Sequence, residues 1–370
     1  MALFAHRRLN GPARKTIIER NSMPPEKHLL QGGRLVLPDQ TLEGDLLIEQ
    51  GRIAGLGDIP DDRCRGAEVV NARKKLVLPG LIDLHIQGAG GSDFMEEDPE
   101  SPAKVARKLA AFGTTSFLAT SVIDTTRDEQ PHIRQIRECM SDNPSGARIL
   151  GIHLEGPFIN LKKKGMIEER FICPPSEEKL HDIRHACGES LSMMTIAPEV
   201  PGALELIERL QEAGTVAALG HTYATYEEAM EGVDAGLTHV THLANAMKGI
   251  HHREPGSLGA ALMCDALSAQ IMCDGIHLHP AVVNWFIQTK RPERCAIITD
   301  GMSAMGLPYG DYQYAGREFT VNENGARYKD GTLIGSALTQ LEMLSGAREF
   351  TGLPLPEAVN MASLYPARIL

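Results

Sequence analysis

The chain has 370 residues, 42% of them hydrophobic, enough to bury one large core and a satellite domain. A formal net charge of -11 leaves no basic stripe for a polyanion, which argues against a nucleic-acid partner. No apolar run approaches the roughly 18 residues of a membrane helix. The seven scattered cysteines, without a C-x-x-C pair, read as free thiols of a reducing, cytoplasmic compartment.

In chain order, residues 1–27 come first. The first 22 of them carry Arg7, Arg8, Arg14, Lys15 and Arg20 against a single acid, Glu19, and lack the apolar core of a secretory signal. We read them as a disordered basic extension, with an organelle presequence as the alternative. Residues 28–75 alternate short Val-, Ile- and Leu-rich runs with Gly and Pro turns, which predicts a small β domain. From residue 76 the rhythm changes to strand, loop and amphipathic helix, repeated. Strands are expected at 76–86, 115–120, 148–155, 193–199, 216–221, 238–243, 269–275 and 296–301. One intervening helix opens with Thr225 and Glu228, the spacing of a capping box. Eight such strands predict an α/β fold, a (β/α)8 TIM barrel over 76–350; a doubly wound sheet is the competing arrangement. More β-like sequence follows at 318–335, then helices near 337–349 and 355–363. Residues 351–370 lead back toward the β domain and stop at "SLYPARIL", so we expect a truncated chain.

In a barrel of this kind, reactive groups gather at the C-terminal strand ends. His85 and Gln87 end the first predicted strand, His153 and Glu155 the third, His221 the fifth, His242 the sixth and Asp300 the eighth. Nitrogen and carboxylate donors so placed suit a divalent transition ion with an open position. Taken alone, His221 is more often a satisfied core histidine, Asp300 a turn cap and His251–His252 a solvated turn; the set at successive strand ends reverses that reading. Alternation puts His239 and His242 on opposite faces, so His242 is the better ligand and His239 a packing residue. Glu155 lies at the rim and is assigned to metal, with His153 one layer deeper as hydrogen-bonded support.

The segments "PGLIDLH", "HLEGPF", "LGHT", "THLANAM", "HHREPG", "DGIHLHP", "ITDG" and "GTLIGSAL" occur in this order. From about residue 28 onward the chain thereby resembles the amidohydrolase superfamily, and within it the N-acetylglucosamine-6-phosphate deacetylases. The resemblance implies a TIM barrel with a small β-sandwich domain from the N-terminal segment and the C-terminal tail. It implies Glu155, His221 and His242 as metal ligands and Asp300 as the catalytic aspartate, exchanging a proton between the attacking water and the amine. It also implies Asn245, Ala246, Arg253 and His277 as contacts to a sugar-phosphate substrate, with Leu333, Ile334 and Gly335 beside it. Arg253 would reach the phosphate across a homodimer interface.

Two positions depart from that pattern. Many amidohydrolases carry H-x-H where this chain has His85 and Gln87, and a neutral amide is a weak ligand for a transition metal. We therefore expect one divalent ion per subunit, zinc before iron, cobalt, manganese or nickel, with the His85/Gln87 side empty or weakly occupied. The second departure lies after Glu155, where "KKKGMIEER" sets Ile167 where the resemblance implies a histidine touching the substrate. Isoleucine donates no hydrogen bond; His251 or His252 would then substitute, the substrate would differ, or activity would be reduced. Three readings follow. They are deacetylation of N-acetylglucosamine 6-phosphate, the same chemistry on another N-acyl amino sugar such as N-acetylgalactosamine 6-phosphate, and a catalytically impaired relative that binds sugar phosphate.

Overall fold

The computed structural model describes residues 27–142 and 145–370; the basic extension, up to residue 26, lies outside the described residues. The first strands are β1 (Lys27–Val36), β2 (Thr41–Glu49), β3 (Arg52–Gly57), β4 (Glu68–Asn71) and β5 (Leu76–Val77). They form one sheet in the order β3-β2-β1-β4, with β5 also on β1. Leu29, Leu47 and Ile59 fill its own small core.

The sequence predicts a single strand over 76–86, but the chain divides it. Leu76 and Val77 pair with β1, and the barrel begins at β6 (Leu81–Ile86). Pro79 has no N–H to give a ladder. Gly80 permits a close approach, because a Cβ there would lie 2.0 Å from Thr115 Oγ1. After the hairpin β7 (Gly88–Ala89) and β8 (Ser92–Asp93) come β9 (Thr114–Ser121), β10 (Arg148–Glu155), β11 (Leu191–Ile196), β12 (Val216–Leu219), β13 (His239–Val240), β14 (Ser268–Ile271) and β15 (Cys295–Ile297). β6 and β9–β15 pair in parallel, in sequence order, with a helix after each. The strands are buried on both faces, as a parallel sheet jacketed by helices requires, so they read as continuous apolar runs.

Closure of the barrel falls to the segment after β15. Asp300 N–H donates to His85 O at 2.9 Å, and the N–H groups of Gln87 and Gly88 both donate to Gly301 O at 2.8 Å. Deeper in the seam, Thr299 Oγ1 donates to Asp83 Oδ2 at 2.6 Å. Gln340 Nε2 donates to Ile82 O at 2.7 Å.

A three-stranded antiparallel sheet follows: β16 (Gly310–Tyr314), β17 (Arg317–Asn322) and β18 (Gly325–Tyr328). The sequence reading finds the last two strands and misses β16, whose "GDYQY" lacks aliphatic residues. Its buried face joins Tyr314, Phe319, Val321 and Tyr328 to Met302 and Ile334, just beyond the closing segment. Residues 351–370 reach the small sheet through helices rather than strands. Asn360 on the helix Leu355–Met361 donates to Pro38 O at 2.8 Å, and the helix Leu364–Ile369 follows. Val359 and Leu364 face Leu46 and Ile48 across an apolar cleft.

Candidate active site

Asp83, His85 and Gln87 are spaced by two, so all three side chains point into the barrel from β6 and its extension. Glu155 ends β10 on the same rim. The sequence reading places His221, His242 and Asp300 on strands; the ladder instead stops two or three residues before each. All three take left-handed backbone, at φ 47°, 26° and 46°, as do Ala244 (74°) and Ala246 (51°). Such conformations cost about 1–3 kcal/mol each in non-glycine residues and persist only where the surroundings hold them. Here they swing the side chains over the barrel axis. Strand alternation does not extend to His242, because β13 ends at Val240; His239 stays in β13 and bonds Ser268 Oγ at 2.7 Å.

The cluster is tight and buried. Glu155 Oε1 lies 2.9 Å from Nε2 of both His221 and His242, and the two Nε2 atoms are 3.1 Å apart. His221 Nδ1–H donates to Lys163 O at 2.8 Å, which leaves the lone pair on Nε2. Acceptor atoms about 3 Å apart, converging on one point, suit a cation with ligands at about 2.0–2.2 Å. The three donor atoms all lie within 4.8 Å of one another, so this buried group can hold a metal ion. Burial pulls the His242 imidazole below its ordinary pKa and keeps it neutral, the form that binds metal. Burial pushes the Glu155 carboxyl up, but His85, His221 and His242 outweigh it and hold it well below the usual carboxylate range.

The opposite side is built differently. Gln87 Nε2 donates to Glu155 Oε2 at 3.2 Å and to Asp300 Oδ1 at 3.1 Å. His85 Nδ1–H donates to Gln270 Oε1 at 3.1 Å, an oxygen that also accepts from His242 N–H. His85 Nε2 therefore faces Asp300 Oδ1 at 3.3 Å and Glu155 Oε2 at 3.7 Å. Burial pulls this imidazole down, yet the two carboxylates win and lift it to about 9. An amide NH2 thus bridges the two carboxylates on this side, with the His85 ring at ion-pair distance from both.

The structure brings together Glu155, His221, His242, Asp300, His85 and Gln87. Asn245 N–H donates to His242 O, and Ala246 O accepts from Thr222 N–H, so both lie beside the ligand group. Leu333–Gly335 abuts Asp300: Ser336 N–H donates to Asp300 O at 2.8 Å. Arg253 lies apart, on an exposed loop with its guanidinium 2.7 Å from His252 Nε2. His277 is held by Asp274 at 2.6 Å. His153 has both ring nitrogens engaged, by Leu84 O and Thr195 Oγ1, which agrees with a supporting role. Ile167 is buried with Val122, Ile159 and Phe171. The sequence reading missed Asp83 and Gln270, although each is a polar residue inside an apolar strand and so carried a signal.

Residues 76–370 match the model of the Amidohydrolase family. The chain is 33% identical over 326 residues to the N-acetylglucosamine-6-phosphate deacetylase of Lysinibacillus sphaericus, covering 88% of this chain and 84% of that one. It is 32% identical over 344 residues to the N-acetylgalactosamine-6-phosphate deacetylase of Escherichia coli O157:H7, covering 93% and 89%. The fold superimposes on a mutant N-acetyl-D-glucosamine-6-phosphate deacetylase from Mycobacterium smegmatis, solved with N-acetyl-D-glucosamine-6-phosphate. That match has a TM-score of 0.84 at 32% identity, over 93% of this chain and 90% of that chain. With a barrel closed by the aspartate-bearing segment and a buried Glu/His/His group at its mouth, the chain belongs to the amidohydrolase family.

Proposed function

We propose that this protein is a metal-dependent deacetylase that hydrolyses N-acetylglucosamine 6-phosphate to glucosamine 6-phosphate and acetate. The observation that carries the reading is the convergence of Glu155, His221 and His242 on one point, with Asp300 tied to the same carboxylate through Gln87. When bound there, a divalent ion supplies a Lewis acid for the amide carbonyl and acidifies water. Asp300 takes the proton from the attacking water and returns it to the amine nitrogen as the C–N bond breaks; acetate keeps the water's oxygen. Gln87 and His85 orient Asp300 through its Oδ1. Asn245, Ala246 and Leu333–Gly335 line the sugar, and His277 and Arg253 hold the phosphate, whose oxygens suit a guanidinium fork. The exposure of Arg253 supports its service to a second copy of the chain, in a homodimer.

One ion per subunit fits this donor set, and zinc suits two imidazoles and a carboxylate, with iron, cobalt, manganese and nickel as further candidates. Among the described residues no helix is long and apolar enough to cross a membrane, and the free cysteines support a cytoplasmic setting.

A second reading has its own observation. Ile167 presents an apolar side chain rather than a donor, and a relative at 32% identity bears the N-acetylgalactosamine-6-phosphate name. Acetate release from a panel of N-acetylhexosamines, with and without the 6-phosphate, separates the readings. Preference for the gluco sugar phosphate is the expected result. Preference for the galacto epimer moves the assignment, and no release from any member leaves a sugar-phosphate-binding relative.

A further inference from the structure

Among the described residues, seven buried side-chain nitrogen or oxygen atoms lack a hydrogen-bond partner. Three belong to His85, Gln87 and His242, all in the cluster described above. Tyr314 Oη is another, and it is the one hydroxyl in the set. A buried hydroxyl without a partner costs stability, and a phenylalanine would fill the same space without that cost. The position therefore points to an acceptor that arrives with a ligand.

The surroundings say where. Tyr314 is 4% exposed, ends β16, and packs in one cluster with Met302 and Ile334. Met302 lies two residues past Asp300, and its N–H donates to Ser336 O. Ile334 precedes Gly335, whose backbone lies against Asp300 O. Ser303 Oγ donates to Gln313 O at 3.0 Å and pins the end of β16 to the loop that carries Asp300. Met95 and Met166 pack against this cluster and also against the one that buries Ile167, so the clusters of Tyr314 and Ile167 share those two neighbours. Burial, with the charges of Asp93, Glu155 and Asp300 nearby, holds the phenol well above its ordinary pKa. It stays protonated and can donate.

On the wall beside His221, Lys163 offers its carbonyl to the ring, Gly165 lies against the ring, and the side chains of Met166 and Ile167 are apolar. His251 and His252 sit on the exposed loop with Arg253. We propose that Tyr314 is a catalytic hydrogen-bond donor, its Oη–H directed to the carbonyl oxygen of the substrate's acyl amide. The contact strengthens as that oxygen gains negative charge while water adds to the carbonyl carbon. This inference rests on the amide-hydrolysis reading above.

Tyr314→Phe in the metal-loaded enzyme tests it. The variant should melt at or slightly above the wild-type temperature, and kcat on the preferred N-acetyl sugar should fall about 10²-fold, the loss typical of one oxyanion donor. KM should change little. On the N-trifluoroacetyl analogue, whose carbonyl is already activated, the defect should shrink several-fold; a packing defect would reduce both substrates alike. Wild-type kcat in the variant, or an equal loss on both substrates, overturns the role of Tyr314 and leaves deacetylation standing. A wild-type enzyme that hydrolyses neither substrate overturns both.

Discussion

His221, His242 and Asp300 each hold a left-handed backbone that their side chains do not favour, and each is fixed from outside: Lys163 O on the His221 ring, Gln270 on His242 N–H, the β6 edge on Asp300. This is local strain held by the surrounding barrel. Replacing Asp300 by Asn removes the proposed proton carrier and leaves Glu155, His221 and His242 in place. Turnover should drop by at least about 10²–10⁴-fold, with bound metal unchanged by elemental analysis; surviving turnover would mean that the proton travels elsewhere. Gln87 places an amide NH2 between Glu155 and Asp300, with the His85 ring beside both, where a second cation would have to sit. After stringent dialysis the enzyme should retain about one equivalent of metal per chain, and two retained equivalents would contradict this account of His85 and Gln87.

At the scale of elements, the loop bearing His221 is followed at once by the helix Tyr226–Ala235. Its start is set by a capping box: Thr225 Oγ1 accepts from Glu228 N–H at 3.2 Å, and Glu228 Oε2 accepts from Thr225 N–H at 2.8 Å. Thr225→Ala should cost about 1 kcal/mol, read as a lower denaturant midpoint at unchanged slope. Gly335 has a different sensitivity. It sits at φ 120°, and a Cβ there would lie 2.5 Å from Asp300 O. Gly335→Ala should push the Asp300 loop aside and lower kcat far more than melting temperature; the reverse pattern would mean that this contact matters only to folding. The capping box was legible because it is a four-residue pattern. The early ends of β12, β13 and β15 were not, since the backbone reversal at His221, His242 and Asp300 is imposed by hydrogen bonds from distant segments.

Across the whole molecule, the Glu155, His221 and His242 group that can hold a metal comes from β10 and from just past the ends of β12 and β13, and Asp300 comes from the segment that closes the barrel. An ion bound there stabilises the closed barrel by mass action. Chelation should lower the melting temperature by several degrees, with recovery on adding one equivalent of zinc; indifference to chelator would mean that the cluster holds no ion. Lys290 reports on the core's far side. It is buried, its ammonium donates to Cys264 O, and burial pulls its pKa down to about 8 from 10.5. Between these values the unfolded chain binds the proton better, so stability from this group rises with pH through that window. The melting temperature of wild type minus that of Lys290→Met should therefore increase between pH 7.5 and pH 10; a flat difference would refute the shift.

Alternating strand and helix patterns gave the barrel, because a parallel strand must be apolar along its length and its crossover helix amphipathic. Glu155, His221, His242 and Asp300 were marked as a candidate set because they recur just past successive apolar runs, where each taken alone has an ordinary structural reading. The division of 76–86 between two sheets, strand β16, and the partners Asp83, Gln270 and Lys163 O were decided only by the tertiary structure. Each depends on a contact between segments far apart in the chain, and local sequence carries no record of which distant group will arrive. Tyr314 is the sharpest case: in sequence it is one aromatic in a polar stretch, and only the packed fold leaves its hydroxyl buried near Asp300 with nothing to bond.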